Sequence, residues 1–227
     1  MTREHYLQSL SDLDDQVCGL GELVANTIGR CVDALQGLDA AEAQRLIDAD
    51  AEIDACRYEI ENEAVIIIAT QQPTAGDVRM LTGILTIASE LERVGDYCEG
   101  IARLTLRMAA EPVHGPLRDL NVMADLTQNL LRRAIKAYRD RDVEAAAAVW
   151  MEDDRIDELY AQVFRRMILE MTTDKTTIRL GTYLLWVAHN IERMGDRVTN
   201  IAERTAFVAT GDVGAFRARL RSQTMPV

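Results

Sequence analysis

The chain has little that would tie it to a membrane, an oxidising compartment or a nucleic acid. Its longest wholly apolar stretch runs only from Ala145 to Met151, far short of the roughly 20 residues a helix needs to cross a bilayer, so no membrane span is expected. The four cysteines, Cys18, Cys31, Cys56 and Cys98, lie in the first half without a C-x-x-C spacing or a histidine cluster, which argues against a structural zinc site. No secretory leader precedes them, so they read as reduced thiols packed as small hydrophobes in a cytoplasmic protein. Basic side chains number 25 against 37 acidic ones, for a net charge of −12, and a field of that sign repels nucleic acid. No phosphate-binding glycine loop, nucleophile elbow, kinase signature or Ser/His/Asp constellation is present, so nothing marks an enzyme.

Proline is scarce too, at four residues, and aromatics make up 5%. What fills the chain instead is alanine, leucine, arginine and glutamate, the composition of long helices. Apolar residues fall at intervals of three and four, as in Leu81, Ile84, Leu85, Ala88 and Leu91, and again in Leu184, Leu185, Ala188 and Ile191; that period is helical. The joints are legible. A first helix breaks near Gly37, and Asp39-Ala40-Ala41-Glu42 reads as a capping box for a second. Pro73 ends the second, and Thr74 opens a third that runs to about Ala110. The segment Glu111 to Pro116 holds two of the four prolines near the chain midpoint. Beyond it come a helix from Leu117 to about Arg139, a turn at Asp140-Arg141-Asp142, a helix to about Met171, a break at Thr172-Thr173-Asp174, and a last helix to about Ala209. The tail from Gly211 reads as helical extension or disorder. The expectation is an all-α protein of two tandem three-helix bundles, six long helices in all, spanning residues 1–111 and 117–210. The stretch Ala64 to Ile68, apolar all round, is expected where a helix is buried on several sides.

The halves share a phrase. Glu92-Arg93-Val94-Gly95-Asp96 returns as Glu192-Arg193-Met194-Gly195-Asp196, each followed by Ile-Ala (Ile101-Ala102, Ile201-Ala202) and a threonine (Thr105, Thr205); seven of the fourteen positions from Glu92 and Glu192 are identical. This is an internal repeat. Residues four apart share a helix face, so Glu92 and Asp96 stand together, as do Glu192 and Asp196. The second helix of each half adds Asp50 and Asp54, or Asp153 and Asp157, again four apart, and in an antiparallel hairpin these would face the first pair. Oxygens from neighbouring helices suit hard or intermediate cations such as magnesium, manganese, calcium or iron. Spacing alone leaves a second reading open, a solvated face on which Arg93 pairs with Asp96 and Arg193 with Asp196. Gly95 and Gly195 in mid-helix read as points of close helix approach. Arg79 and Thr82, repeated as Arg179 and Thr182, are either neutralising partners of the same face or ordinary surface residues. His189 lies three residues before Glu192 and could join a metal shell, but its first-half counterpart is Ser89, which favours a solvated or core-edge histidine.

These two Glu-Arg-x-Gly-Asp segments, with Asn200-Ile201-Ala202 or Gly100-Ile101-Ala102 behind them and Gln71-Gln72-Pro73 and Asp77-Val78-Arg79 ahead of the first, make the chain resemble the PhoU family across nearly its whole length. The resemblance implies two three-helix bundles about a pseudo-twofold axis, carboxylate surfaces that bind metal ions (magnesium, manganese, iron or zinc), and a homodimer. It also implies a regulator of phosphate uptake that restrains a phosphate ABC transporter and its sensor histidine kinase when phosphate is plentiful. The family's acidic motif falls on Glu92 and Asp96 and on Glu192 and Asp196. The second half keeps the pattern better, because Gly100 and Arg103 replace the asparagine and glutamate that Asn200 and Glu203 retain. Two other classes compete: a carboxylate-bridged metal hydrolase or oxidase, for which only His189 offers a general base and the Glu-x-x-His pairs of di-iron oxidases are absent, and a metal-free acidic helical scaffold.

Overall fold

A computed structural model describes residues 3–110 and 115–224, and every regular element among them is helical. The order is α1 (Arg3–Gly37), α2 (Ala40–Gln71), α3 (Ala75–Met108), α4 (Leu117–Asp140), α5 (Val143–Glu152), α6 (Asp154–Thr173), a 3-10 turn at Lys175–Thr177, α7 (Ile178–Thr210) and α8 (Val213–Thr224). The expected boundary at residue 111 lies outside the described residues.

The repeat reaches down to the turns. Leu38 and Arg141 both take left-handed backbone, at φ 47° and 54°, and the next residue of each caps the following helix. Asp39 Oδ1 accepts from the amides of Ala41 and Glu42 at 3.0 and 2.9 Å, and Asp142 Oδ1 accepts from Glu144 and Ala145 at 3.0 Å each. The reciprocal half of the expected box at Asp39 does not form. Glu42 is taken instead by Arg30 of α1 at 2.7 Å and Arg45 at 2.8 Å, because a guanidinium is a stronger donor to carboxylate than a neutral amide. The glutamate-to-amide contact has its analogue one joint later, where Asp77 Oδ2 accepts from the Thr74 amide at 3.3 Å and from its hydroxyl at 2.9 Å. Gln72, left-handed at φ 49°, closes α2 before Pro73, whose ring disfavours right-handed helical backbone in the residue ahead of it.

Helices differ in how much of their circumference they bury. The inner helices α1, α3, α4 and α7 carry wide apolar faces, whereas α2 buries one stripe, Ala43, Leu46, Ile53, Ile60, Ala64 and Ile67, and α6 only Ile156, Val163 and Met167. A single stripe makes an outer helix. Accordingly α2 lies on α1 and α3, and α5 and α6 lie on α4 and α7. The centre is the antiparallel pair α3 and α7: Gly83 sits against Val208, Glu90 meets Asn200 at 3.2 Å, and Gly100 sits against Asn190. A Cβ at position 100 would stand 3.0 Å from Asn190 Nδ2, which accounts for the glycine where the second half has Asn200. Ile101, Ala102, Thr105 and their counterparts Ile201, Ala202, Thr205 are fully buried, each threonine hydroxyl donating to the carbonyl four residues back at 3.0 Å. That part of the repeated phrase is core. Cys18, Cys31 and Cys98 are buried free thiols and Cys56 is half-buried.

Three features depart from expectation. The second helix of the second half is broken at Asp153, where the Ile156 amide reaches the Asp153 carbonyl at 2.7 Å, an i to i+3 bond that tightens the turn. The tail forms α8, held by Phe216 and Leu220 in the core and by Arg217 pairing with Glu203 at 2.6 Å. The stretch from Ala64 to Ile68 is buried only at Ala64 and Ile67; Val65, Ile66 and Ile68 stand exposed, because α2 has no helix on its outer side.

The halves are locked through α1 and α4. The fully buried Tyr138 donates its hydroxyl to Asp14, and Arg141 Nη2 holds both oxygens of Asp14 at 3.0 Å; burial first, and then the Asp14 charge, push the phenol pKa well up. Replacing Asp14 by alanine leaves the buried Tyr138 hydroxyl without an acceptor and takes the carboxylate from the half-buried Arg141, whose Nη1 keeps only the Tyr138 carbonyl at 2.8 Å. Asp14→Ala is expected to lower the unfolding free energy by about 2 kcal/mol and Tyr138→Phe by about 1 kcal/mol, to be read from urea titrations followed by circular dichroism.

Candidate functional site: two opposed carboxylate clusters

Each half presents the same junction. The second helix crosses the third at a glycine, so close that a Cβ at Gly95 would lie 3.0 Å from Ile53 Cδ1 and one at Gly195 would lie 2.6 Å from Asp153 Oδ1. Ile53 and Ile156, buried at 3% and 0%, pin the two helices there. One turn of the second helix then sets Asp50 and Asp54, or Asp153 and Asp157, across from the glutamate and aspartate of the third.

The opposition is visible in the acidities. Burial, then repulsion from Glu99, Asp54, Asp96 and Glu92, pushes the Asp50 carboxyl up to about 6. In the second half burial, then Asp157, Asp196, Asp154 and Glu192, pushes Asp153 up to about 7. Burial is also the first cause, with neighbouring carboxylates adding to it, for the raised pKa of Glu92, Asp96, Asp157 and Glu192. All eight residues singled out from the sequence are therefore brought into two groups of four. Among the described residues, no three histidine, cysteine, aspartate or glutamate side chains converge closely enough to enclose an ion. The donors face one another across a gap.

Some charges are already compensated. Arg193 pairs with Asp196 at 2.8 Å, the ordinary surface contact that spacing allowed. Glu99, which the sequence reading passed over, is the carboxylate whose charge acts most strongly on Asp50 and is paired in turn with Arg103. Nothing in its spacing marks it, though it lies seven residues, two helical turns, after Glu92. His189 is half exposed, with Nδ1 3.3 Å from Glu192 Oε2, and that oxygen is buried without a hydrogen-bond donor. Tyr160, also passed over, stacks its ring 6.1 Å from that of His189. Arg79 and Thr82 sit apart: Arg79 lies near Gly211, and thirteen residues of helix put it about 20 Å from Glu92. The chemistry of the donors fits a hard or borderline cation, oxygen alone in the first cluster and oxygen with one imidazole at the edge of the second.

Comparison with known proteins places the fold. The PhoU domain model matches twice, over residues 17–105 and 120–205. The chain belongs to the PhoU family. It is 35% identical over 212 residues to the phosphate-specific transport system accessory protein PhoU homolog of Caulobacter vibrioides, covering 93% of this chain and 92% of the relative. To the homolog of Clostridium acetobutylicum it is 32% identical, covering 93% and 97%. The crystal structure of PhoU from Pseudomonas aeruginosa superposes with a TM-score of 0.87 at 27% identity, covering 91% of this chain and all of that one; the phosphate transport system regulatory protein PhoU from Streptococcus pneumoniae gives 0.84 at 27%, covering 92% and 98%. The PhoU fold of two repeated helical units is thus common to all, and no helix among the described residues is long and apolar enough to cross a membrane.

The raised pKa values carry a sign. In metal-free protein the folded chain holds protons on Asp50 and Asp153 at pH values where the unfolded chain has lost them, so stability falls as pH rises from about 4 to about 7 and levels off above. With a chelator present, the double substitution Asp50→Asn and Asp153→Asn is expected to remove that fall. It should make the protein more stable than the parent at pH 8 by about 1 kcal/mol, a figure reduced for screening at these part-exposed groups. Urea midpoints of both proteins at pH 5 and pH 8 check it.

Proposed function

We propose that this chain is a cytoplasmic regulatory accessory protein of phosphate uptake, which restrains a phosphate ABC transporter and its sensor histidine kinase when phosphate is plentiful. Membership of the PhoU family and the names of its relatives support the accessory role. The observation that carries the mechanism is the matched pair of opposed carboxylate clusters, each seated on a glycine crossing. In this reading Glu92, Asp96, Asp50 and Asp54 hold one divalent or trivalent metal ion, or a small group of ions, and Glu192, Asp196, Asp153 and Asp157 hold the other.

The chain's own part is to hold like charges together against their repulsion. Carboxylates with burial-raised pKa values, Asp50, Glu92 and Asp96 in one cluster and Asp153, Asp157 and Glu192 in the other, would gain free energy when a cation neutralises them. The metal supplies charge neutralisation and open coordination positions; the helices supply the spacing. A partner carboxylate or carbonyl would complete the shell, so partner affinity would depend on metal. The relatives' description as accessory proteins of phosphate transport supports a binding role over hydrolysis or oxidation.

Elemental analysis of untagged protein, compared with the quadruple variant Glu92→Ala, Asp96→Ala, Glu192→Ala and Asp196→Ala, tests the reading. The parent is expected to retain manganese, iron, zinc or magnesium. At a metal concentration about a hundredfold above Kd it should gain about 2.7 kcal/mol of stability for each cluster occupied, roughly 5–10 °C in Tm per cluster. The variant should do neither, and should fail to repress a phosphate-starvation reporter in a strain lacking the native gene. Equal metal content and equal repression in the two proteins would refute it.

A further inference from the structure

The halves part company along the groove between their second and third helices. In the second half that groove starts at the acidic cluster and passes His189 and Tyr160. It then opens into a hollow of about 350 Å³ lined by Tyr160, Thr182, Leu185, Trp186 and His189. The Phe164 ring lies 6.2 Å from that of Tyr160. Trp186 is 58% exposed and Phe164 43%. One or two turns further along each helix, Ile168 and Ile178 are exposed as well. In the first half the same backbone positions carry Arg57, Glu61, Thr86 and Ser89, with Arg57 and Glu61 paired to each other. The fold does not require aromatics there.

Trp186 and Phe164, each about half exposed, forgo part of the stabilisation that burying large apolar side chains brings. A cluster of exposed aromatics with a charged border is also the composition of an interface centre rather than of an idle surface. The border decides the partner's sign. Asp153, Asp157, Glu192 and Asp196 close one end of the groove, and even with Arg193 paired to Asp196 and a divalent ion among them the group would stay negative. With the net charge of −12, that end repels anionic lipid and attracts cationic side chains.

We infer that the groove between α6 and α7 docks an amphipathic helix of a partner protein, with Lys or Arg over the four carboxylates and large apolar side chains over Tyr160, Phe164 and Trp186. From Asp153 to Ile168 the groove is about 22 Å long, the length of a helix of about 15 residues offering anchors at i, i+3 or i+4, and i+7. The inference deepens the proposed regulatory role and rests on it for the partner's identity, while the groove's chemistry stands independently.

Two measurements separate these. The first uses a fluorescein-labelled helical peptide of about 15 residues built from leucine and lysine, and its counterpart with glutamate for lysine, followed by anisotropy. The parent should bind the lysine peptide and not the glutamate one. Phe164→Ser with Trp186→Ser should weaken binding by about tenfold or more, while Val65→Ser with Ile66→Ser, equally exposed on the first half, should change it by less than about twofold. With Trp150→Phe leaving Trp186 as sole emitter, its fluorescence should shift to the blue on binding. All the substituted groove and control side chains are exposed, and far-ultraviolet circular dichroism confirms that each variant is folded. Equal affinity for the two peptides, or binding to phosphatidylglycerol vesicles that the double variant loses, would overturn the inference. The second measurement presents the transporter's ATP-hydrolysing subunit and the kinase's cytoplasmic part to parent and double variant. Loss in the variant of a partner that the parent binds supports the groove. Equal binding overturns the groove and leaves the role, and no binding to the parent overturns the role while the peptide result still decides the groove.

Discussion

Both carboxylate clusters depend on one steric constraint, the contact of the second helix of each half with a glycine in the third. At Gly95 the neighbouring isoleucine is already within 3.0 Å of where a Cβ would stand, and at Gly195 the Asp153 carboxylate is within 2.6 Å. Glycine inside a helix costs about 1 kcal/mol relative to alanine, and two such residues sit at equivalent points of two long helices. What that concession secures is proximity. Ile53 and Ile156 fill the crossing, and the aspartates beside them are carried close enough to the glutamate-aspartate pairs for burial and mutual repulsion to raise their pKa values. With a side chain at the glycine the helices would stand further apart, and the same eight carboxylates would be two solvated faces.

Duplication explains the shape of this constraint and also where it relaxes. The left-handed turns at Leu38 and Arg141, the caps at Asp39 and Asp142, the buried threonines and the glycine crossings recur because each answers a backbone or packing demand of the unit itself. Where two copies must meet each other they cannot both be identical: Gly100 yields space to Asn190, whereas Asn200 bonds Glu90. Outside the core, identity is not enforced at all. Arg57 and Glu61 stand where the second half has Tyr160 and Phe164, and that freedom lets one half carry an aromatic groove while the other stays polar.

Most of the helices could be read from the chain because their signals are local: the three-and-four apolar spacing, the aspartates after each turn, Pro73 and Thr74 at a joint. The clusters were legible for the same reason, since i,i+4 spacing fixes a face and the repeat fixes a partner. The misreadings all required knowledge of what lies across the chain. Glu42 belongs to Arg30 of another helix and so does not complete its cap. Val65, Ile66 and Ile68 are as apolar as core residues, but no helix lies outside α2 to cover them. Glu99 and Tyr160 carry no motif, and only the packing of α2 on α3 and of α6 on α7 brings them to the clusters. The break at Asp153 is a single tightened turn beneath a carboxylate, with no proline or glycine to announce it.

The clusters are a source of instability held in place by the core, and that sets the sign of everything that binds them. A folded protein that keeps protons on Asp50 and Asp153 above their ordinary range is one in which ionisation works against the fold. Protons, a metal ion and a cationic side chain from a partner all relieve the same repulsion, so each must alter the affinity for the others, and by reciprocal amounts. If metal and a partner's Lys or Arg were to draw only on the same negative charge, they would compete. If the metal also offers a coordination position, the partner gains from it a contact that a proton cannot supply. The aromatic groove adjoins only the second cluster, so under the proposed reading the coupling would fall on one half and give the pseudo-symmetric fold a direction: a first cluster that would respond to cations alone, and a second whose occupancy would be felt by a partner along Tyr160, Phe164 and Trp186.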